Sequence, residues 1–307
     1  MRSSVDEHVF AVKPTALRRQ ARVYADAMLL TLRERALPAV GAPHLMGIVN
    51  VTPDSFYDGG ATADPEAAVR RSLELVAHGA AVIDVGGMTA RPGPLLTPAQ
   101  ELARVLPVLQ GIRAAGCDAV ISVDTYRAEV AAAVLDAGAD LINDHTGLSD
   151  GELAAAVAER GGGLVVTHLG IAPKQVQGGR YDIAPDEIVR FLEQRAGRAI
   201  EAGIAPAAIV VDPGLGFGKS TAADLATLRA MPDLLAIGFP VLLACSHKEV
   251  TAEPLGLPES NLEGTAAVVA VAAYLGVHML RVHDLPFMAH VARMAALLRP
   301  GATPPEA

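Results

Sequence analysis

The stretch VVDPGLGFGKST, Val210 to Thr221, decides how the fold is read. Its glycines, with Lys219 and Ser220, resemble a loop that cradles phosphate through backbone N–H groups. The spacing of that motif puts its first glycine at position 213, where Pro213 stands and removes a donor. What remains is a short apolar run ending in Asp212, followed by a glycine-rich turn. That is the end of a strand and the loop after it, and the question becomes whether the unit recurs.

It recurs along most of the chain. HLMGIVN, AVIDV, AVISVD, DLIN, GLVVTH, AIVVD, PVLLAC and HMLRVH are apolar runs of strand length. Amphipathic stretches such as DPEAAVRRSLELVAHG, TPAQELARVLPVLQGIRAAG and DEIVRFLEQRAGRAIEAG lie between them and end in Ala-Gly or His-Gly, a helix stop. Short β-rich runs alternating with helices predict βαβ units and a parallel sheet. Eight units favour an α/β fold of the (β/α)8 TIM-barrel type, a single barrel over 44–300, above a doubly wound open sheet. Residues 1–43 stand outside the repeat; PTALRRQARVYADAMLLTLRERALP reads as a basic amphipathic helix broken at Pro38. That extension is compatible with capping the barrel bottom, packing on a second subunit, or partial order. Residues 301–307 read as a disordered tail.

Composition narrows the function. Half of the 307 residues are apolar (51%) but only 4% are aromatic, with no Trp, so small aliphatic residues must fill the core. A net charge of −9 argues against a nucleic-acid partner. No apolar run is long enough to span a membrane. Asp6 and Glu7 stand where a secretory signal would carry its apolar core, so a cytoplasmic protein is expected. Cys117 and Cys245 lack both disulfide-framework and metal-ligand spacing.

In this barrel class the chemistry lies at the carboxyl ends of the strands. Here those ends read Asn50, Asp84, Asp124, Asn143 with Asp144, His168, Asp212, Ser246 with Lys248, and Arg281 with His283. Strand ends often carry turn-forming polar residues, but a full rim of them predicts a site. Carboxylates and amides suit a nitrogen-rich heterocycle, since a carboxylate accepts paired N–H donors and Asn offers a donor and an acceptor. Arg91, Arg281 and His283 suit a phosphate group. Phe217, flanked by glycines, either stacks on a flat ligand or plugs its loop.

These residues resemble the dihydropteroate synthase family of pterin-binding enzymes. The similar stretches are MGIVNVTPDSFYDGG (46–60), VIDVGGMTARPG (82–93), ISVDTYRAEV (121–130), LINDHTG (141–147), VDPGLGFGK (211–219), SHK (246–248) and RVHD (281–284). The resemblance implies a transferase of folate biosynthesis, usually dimeric. It joins 6-hydroxymethyl-7,8-dihydropterin pyrophosphate to p-aminobenzoate and releases pyrophosphate by a dissociative route. It assigns pterin binding to Asp124, Asn143, Asp212 and Lys248, and a Mg²⁺ ligand to Asn50. Arg281 and His283 would grip the pyrophosphate, so that Asn50, Asp124, Lys248, Arg281 and His283 form the catalytic set. Thr89, Arg91, Phe217, Ser246, His247 and Glu249 would serve the pyrophosphate or the acceptor. Loops 51–62 and 88–98 would close over the centre.

The chain also departs from the family pattern. Met88 stands for a glutamate, Ala90 for a threonine, His247 for an arginine, Glu249 for a serine and Asp224 for an asparagine, while HLGIAPKQVQ (168–177) lacks a Gln-Gly pair. The pterin side is kept and the acceptor side is altered. Two carboxylates about 4 Å apart repel by roughly 1 kcal/mol in bulk water and by several in a shielded pocket. Glu249 therefore either weakens binding of a carboxylate-bearing amine or turns into solvent. The readings left open are a working synthase, an enzyme using a different nucleophile, a pterin-binding non-enzyme, and a methyltetrahydrofolate-dependent methyltransferase. RVHD and NVTPDSF disfavour the last.

Overall fold

In the computed structural model, residues 28–38, 41–52, 64–88, 95–170, 180–259 and 261–302 are described. Two antiparallel strands, β1 (Met28–Leu32) and β2 (Arg35–Pro38), precede eight parallel ones. The eight are β3 (His44–Asn50), β4 (Ala80–Gly86), β5 (Val120–Asp124), β6 (Leu141–Asp144), β7 (Gly163–Thr167), β8 (Ile209–Asp212), β9 (Leu242–Ala244) and β10 (Met279–Val282). They coincide with the eight apolar runs of the sequence. Their order, β8-β7-β6-β5-β4-β3-β10-β9, brings the last two strands round beside the first. A parallel bridge from Val211 to Val241 closes the seam, with Val211 N–H donating to Pro240 O at 2.9 Å. This is the (β/α)8 barrel.

The helices form where the sequence signals them. α1 (Pro65–Ala77) starts at Asp64, whose carboxylate accepts from Ala67 N at 3.0 Å. α2 (Pro98–Ala114) starts at a reciprocal cap between Thr97 and Gln100. α3 (Ala128–Asp136), α4 (Leu153–Glu159), α5 (Pro185–Glu201), α6 (Thr221–Arg229), α7 (Met231–Leu235), α8 (Glu249–Ala252), α9 (Leu262–Leu275) and α10 (Leu285–Leu297) follow. In α5 the buried residues Ile188, Leu192, Ala196 and Ala199 recur at helical spacing and face the sheet. Each large apolar side chain buried in this way contributes about 1.5–3 kcal/mol.

The helical reading of the N-terminal extension fails over residues 28–38, which form a hairpin; residues 1–27 lie outside the described residues. Leu30 and Leu32 are buried while Thr31 between them is exposed, a period of two that the surrounding charges obscured in the sequence. The hairpin covers the bottom of the barrel. Leu32 packs against Gly163, where an added Cβ would lie 2.3 Å from its Cδ2. Arg33 donates to Leu135 O at 2.7 Å and Ala139 O at 2.8 Å, at the end of α3. Arg35 and Arg113 share the buried Asp140, at 3.0 and 2.5 Å, and Ile121 N–H donates to the same carboxylate at 2.8 Å. Gly301 and Ala302 follow α10 as a turn, and 303–307 are outside the described residues.

Candidate active site

Asp84 is the centre of the polar network at the barrel's upper end. It is fully buried on β4 and accepts from three other strands: Ser122 Oγ at 2.6 Å, Asn143 Nδ2 at 3.0 Å and Arg281 Nε at 2.7 Å. Such a buried carboxylate persists only where several donors replace its hydration. The same Arg281 reaches Asp124 at 3.5 Å, so one guanidinium ties β10 to β4 and β5. Asn50 lies beside this group, because Gly86 leaves room; a Cβ there would sit 3.4 Å from Asn50 Oδ1 and 3.7 Å from Asp124 Cβ.

Asp124 also accepts from His145 Nδ1 at 2.8 Å. Burial would raise the Asp124 pKa, but His145 and Arg281 outweigh it and hold the carboxyl below its usual range. Burial would lower His145, and the facing carboxylates of Asp124 and Asp144 reverse this, so the imidazole is held above its ordinary value. Asp144 turns away to accept from Thr146 N and Oγ1, at 2.8 and 2.6 Å.

The loop after β8 forms the facing wall. Gly214, Gly216 and Gly218 all adopt positive φ. At Gly214 no side chain is possible, since a Cβ would lie 2.1 Å from His168 O. Lys219 does not point toward a phosphate. It is buried, donating to Gly214 O at 2.6 Å and His168 O at 3.4 Å, and burial lowers its pKa to about 8. Tyr181 clamps the loop from outside, its N–H donating to Gly218 O and its C=O accepting from Ser220 N–H, both at 2.9 Å. Phe217 is thereby presented parallel to the His145 ring, with centroids 6.0 Å apart. Lys248 Nζ lies 4.9 Å from the Phe217 centroid and donates to Leu215 O.

Asp212, at the strand tip, accepts from Gly214 N at 2.7 Å. Burial raises its pKa against the pull of Lys248, Lys219 and Arg281. Lys248 in turn is lowered by burial, with Asp212 and Asp224 opposing. Asp224 accepts from Gly216 N at 2.8 Å, and its Oδ1 is buried without a hydrogen-bond partner among the described residues.

The remaining residues singled out in the sequence divide into two groups. Ser246 meets His283, Oγ to Nδ1 at 3.1 Å, beside Arg281 at the end of β10. His247 leans on the His283 ring at 5.4 Å, but its Nε2 meets Asp284 at 2.6 Å and its Nδ1 the Glu259 carbonyl at 3.2 Å. Glu249 stands apart, 46% exposed and paired with Arg180 at 3.1 Å; Arg180 also meets Glu253 at 2.7 Å. Thr89 and Arg91 lie outside the described residues, as do most of loops 51–62 and 88–98.

Sequence reasoning placed Asp84 on the rim without a role of its own and gave none to His145, Arg180 or the partly buried Glu101–Arg127 pair at 2.6 Å. Asp84 had a signal, a carboxylate inside the apolar run AVIDV. The others depend on partners far away in the chain.

Among the described residues no helix is long and apolar enough to cross a membrane. The family model described as pterin binding enzyme matches residues 46–283. "Inactive dihydropteroate synthase 2" of Mycobacterium leprae is 42% identical over 85% of this chain and 92% of its own length. A dihydropteroate synthase of Streptococcus pyogenes is 39% identical over 80% of this chain and 91% of its own. The structure of Xanthomonas albilineans dihydropteroate synthase with 4-aminobenzoic acid superposes with a TM-score of 0.79, at 39% identity, covering 90% of this chain and 98% of that one.

Proposed function

The chain belongs to the pterin-binding enzyme family, as a divergent member of its dihydropteroate synthases, and from that premise we propose that it is a synthase-type transferase. Its electrophile would be 6-hydroxymethyl-7,8-dihydropterin pyrophosphate and its acceptor p-aminobenzoate or a related amine. The observation that carries this is the joining of Asn143 and Arg281 through one buried Asp84, and of Asp124 through Arg281, with Asp212 and Lys248 across the mouth. Asp124, Asn143 and Asp212 supply acceptors and a donor for the pterin edge, and Phe217 supplies a face for its ring.

The chemistry asks for charge to be met on both sides of a breaking C–O bond. As pyrophosphate leaves, positive charge grows on the pterin methylene and negative charge on the departing oxygens. Arg281 and His283 face the second change, and the carboxylates of Asp124 and Asp212 the first, with Lys248 on the pterin side beside Asp212 and Phe217; fixed groups of this kind need no reorganisation. The amine lone pair then forms the C–N bond, and the nitrogen's surplus proton passes to the released pyrophosphate.

Among the described residues no three His, Cys, Asp or Glu could together hold a metal. Asn50 offers one neutral oxygen beside Asp124, which fits a Mg²⁺ that arrives on the substrate's phosphates and keeps most of its water. Asn50 would hold that ion, and the ion would neutralise the leaving group.

A homodimer in the cytoplasm is part of the same proposal. Val271 on α9 and Met294 on α10 are 57% and 56% exposed, and Tyr274 on α9 and Phe287 on α10 are exposed as well. Leu228, Met231, Val268 and Leu275 line a groove with Val271.

The test is pyrophosphate release from the pterin substrate with Mg²⁺, with and without p-aminobenzoate. Release that depends on p-aminobenzoate and yields dihydropteroate supports the proposal; none at saturating substrates refutes it. The likeness to a relative named "Inactive dihydropteroate synthase 2" favours a second reading, in which the pterin binds but p-aminobenzoate is not the acceptor. Pterin binding by calorimetry without p-aminobenzoate turnover would select that reading.

A further inference from the structure

His145 is the side chain that touches both halves of the proposed pterin site. Its Nδ1 lies 2.8 Å from Asp124 Oδ1, on the hydrogen-bonding edge. Its ring lies parallel to Phe217, on the stacking face, with an interplanar angle of 2° and centroids 6.0 Å apart. Tyr126 meets the same ring edge-on at 5.6 Å. At 6.0 Å the His145 and Phe217 rings fall in the range of offset stacking, so they form one layered wall. His145 itself is buried.

We propose that His145 is a positioning residue for pterin recognition: it orients Asp124 and backs Phe217, and the pterin binds best when the imidazole is neutral. The inference rests on the pterin reading of the site. The charged groups around the ring come from every packed element. Asp124 on β5 and Asp144 on β6 are acidic; Arg281 on β10, Lys248 near Phe217, and Arg127 over Tyr126 at 5.3 Å are basic. In both protonation states Nδ1–H can donate to Asp124, so orientation is kept. What changes is the net charge of the pair. With imidazolium it is neutral, and with imidazole it carries one negative charge to meet the pterin N–H donors. Because the facing carboxylates hold His145 above its ordinary value, this change falls above pH 6.5.

Titration calorimetry with 6-hydroxymethyl-7,8-dihydropterin from pH 6 to 9 tests this on the wild type, His145→Asn and His145→Phe. Wild-type affinity is expected to rise by about threefold to tenfold across the range. His145→Asn keeps an N–H donor without titrating and gives up the ring that backs Phe217, so its binding should lose the slope. His145→Phe keeps a stacking ring without a donor and should bind roughly tenfold more weakly. A flat wild-type profile, or His145→Phe binding as tightly as the wild type, overturns the inference while leaving the pterin reading standing. No wild-type binding at all overturns both. If His145→Phe does not fold, the wild-type and His145→Asn profiles decide.

Discussion

Arg281 and Asp84 meet inside the barrel, Nε to Oδ2 at 2.7 Å, although 197 positions separate them in the chain. The contact joins the last strand to the second and sets the angle at which the guanidinium reaches Asp124. A pair this deep contributes little net stability, yet removing one partner leaves the other charged and unsolvated. Asp84→Ala is therefore expected to lower the unfolding free energy by about 3–5 kcal/mol, measured by denaturant unfolding. A change below 1 kcal/mol would mean that water replaces the carboxylate.

Acid should destabilise the fold through the buried His168 and the half-buried His278. Burial lowers His168 to about 3 and His278 to about 4, from 6.5. Each then takes up its proton only on unfolding, so stability is lost as pH falls below 6.5 and stops falling near the folded values. At pH 5 each accounts for about 2 kcal/mol relative to neutral pH. His168→Gln should remove its share of that slope in unfolding curves taken from pH 7 to pH 4.5. An unchanged slope would refute the assignment.

Glu249 and Arg180 form an exposed pair, of a kind that contributes about 0–1 kcal/mol. Glu249→Ser should leave the melting temperature nearly unmoved. Because the pair with Arg180 holds Glu249 outside the site, the same change should leave KM for p-aminobenzoate within about twofold. A fall in KM of about tenfold would show that position 249 faces the acceptor.

The hairpin and the barrel floor are fitted to each other at Leu32 and Gly163. Gly163→Ala would overpack this contact and should cost about 1–3 kcal/mol. Leu32→Ala should cost about 2–5 kcal/mol alone. Together they should cost less than their sum, which a double-mutant cycle on unfolding free energies measures.

For the exposed apolar residues of α9 and α10, Val271→Glu is expected to convert a dimer to a monomer in sedimentation velocity, with the fold intact by circular dichroism. A wild type that sediments as a monomer at high concentration would remove the dimer from the proposal.

The eight strands and the glycine stops of α1, α2 and α5 were legible because both are local signals. A strand is an apolar run, and Gly79, Gly116 and Gly203 sit at positive φ where the helices end. The family was legible for a related reason: its motifs are strand tips, each contiguous in sequence. The hairpin at 28–38 was missed because its period of two extends over few residues among many charges. His145 was missed because its meaning comes from Asp124 and Phe217, which lie on other strands and loops.

The sequence by itself determined the barrel and the inventory of acids, amides and cations on its rim, since apolar periodicity and strand-end chemistry are written in neighbouring residues. Only the tertiary structure decided which rim residues work together. Closing the sheet at Val211 and Val241 brings distant strands side by side. There burial strengthens each charge's dependence on its neighbours, and so makes Asp84 the hub, turns Lys219 inward and leaves Glu249 outside with Arg180.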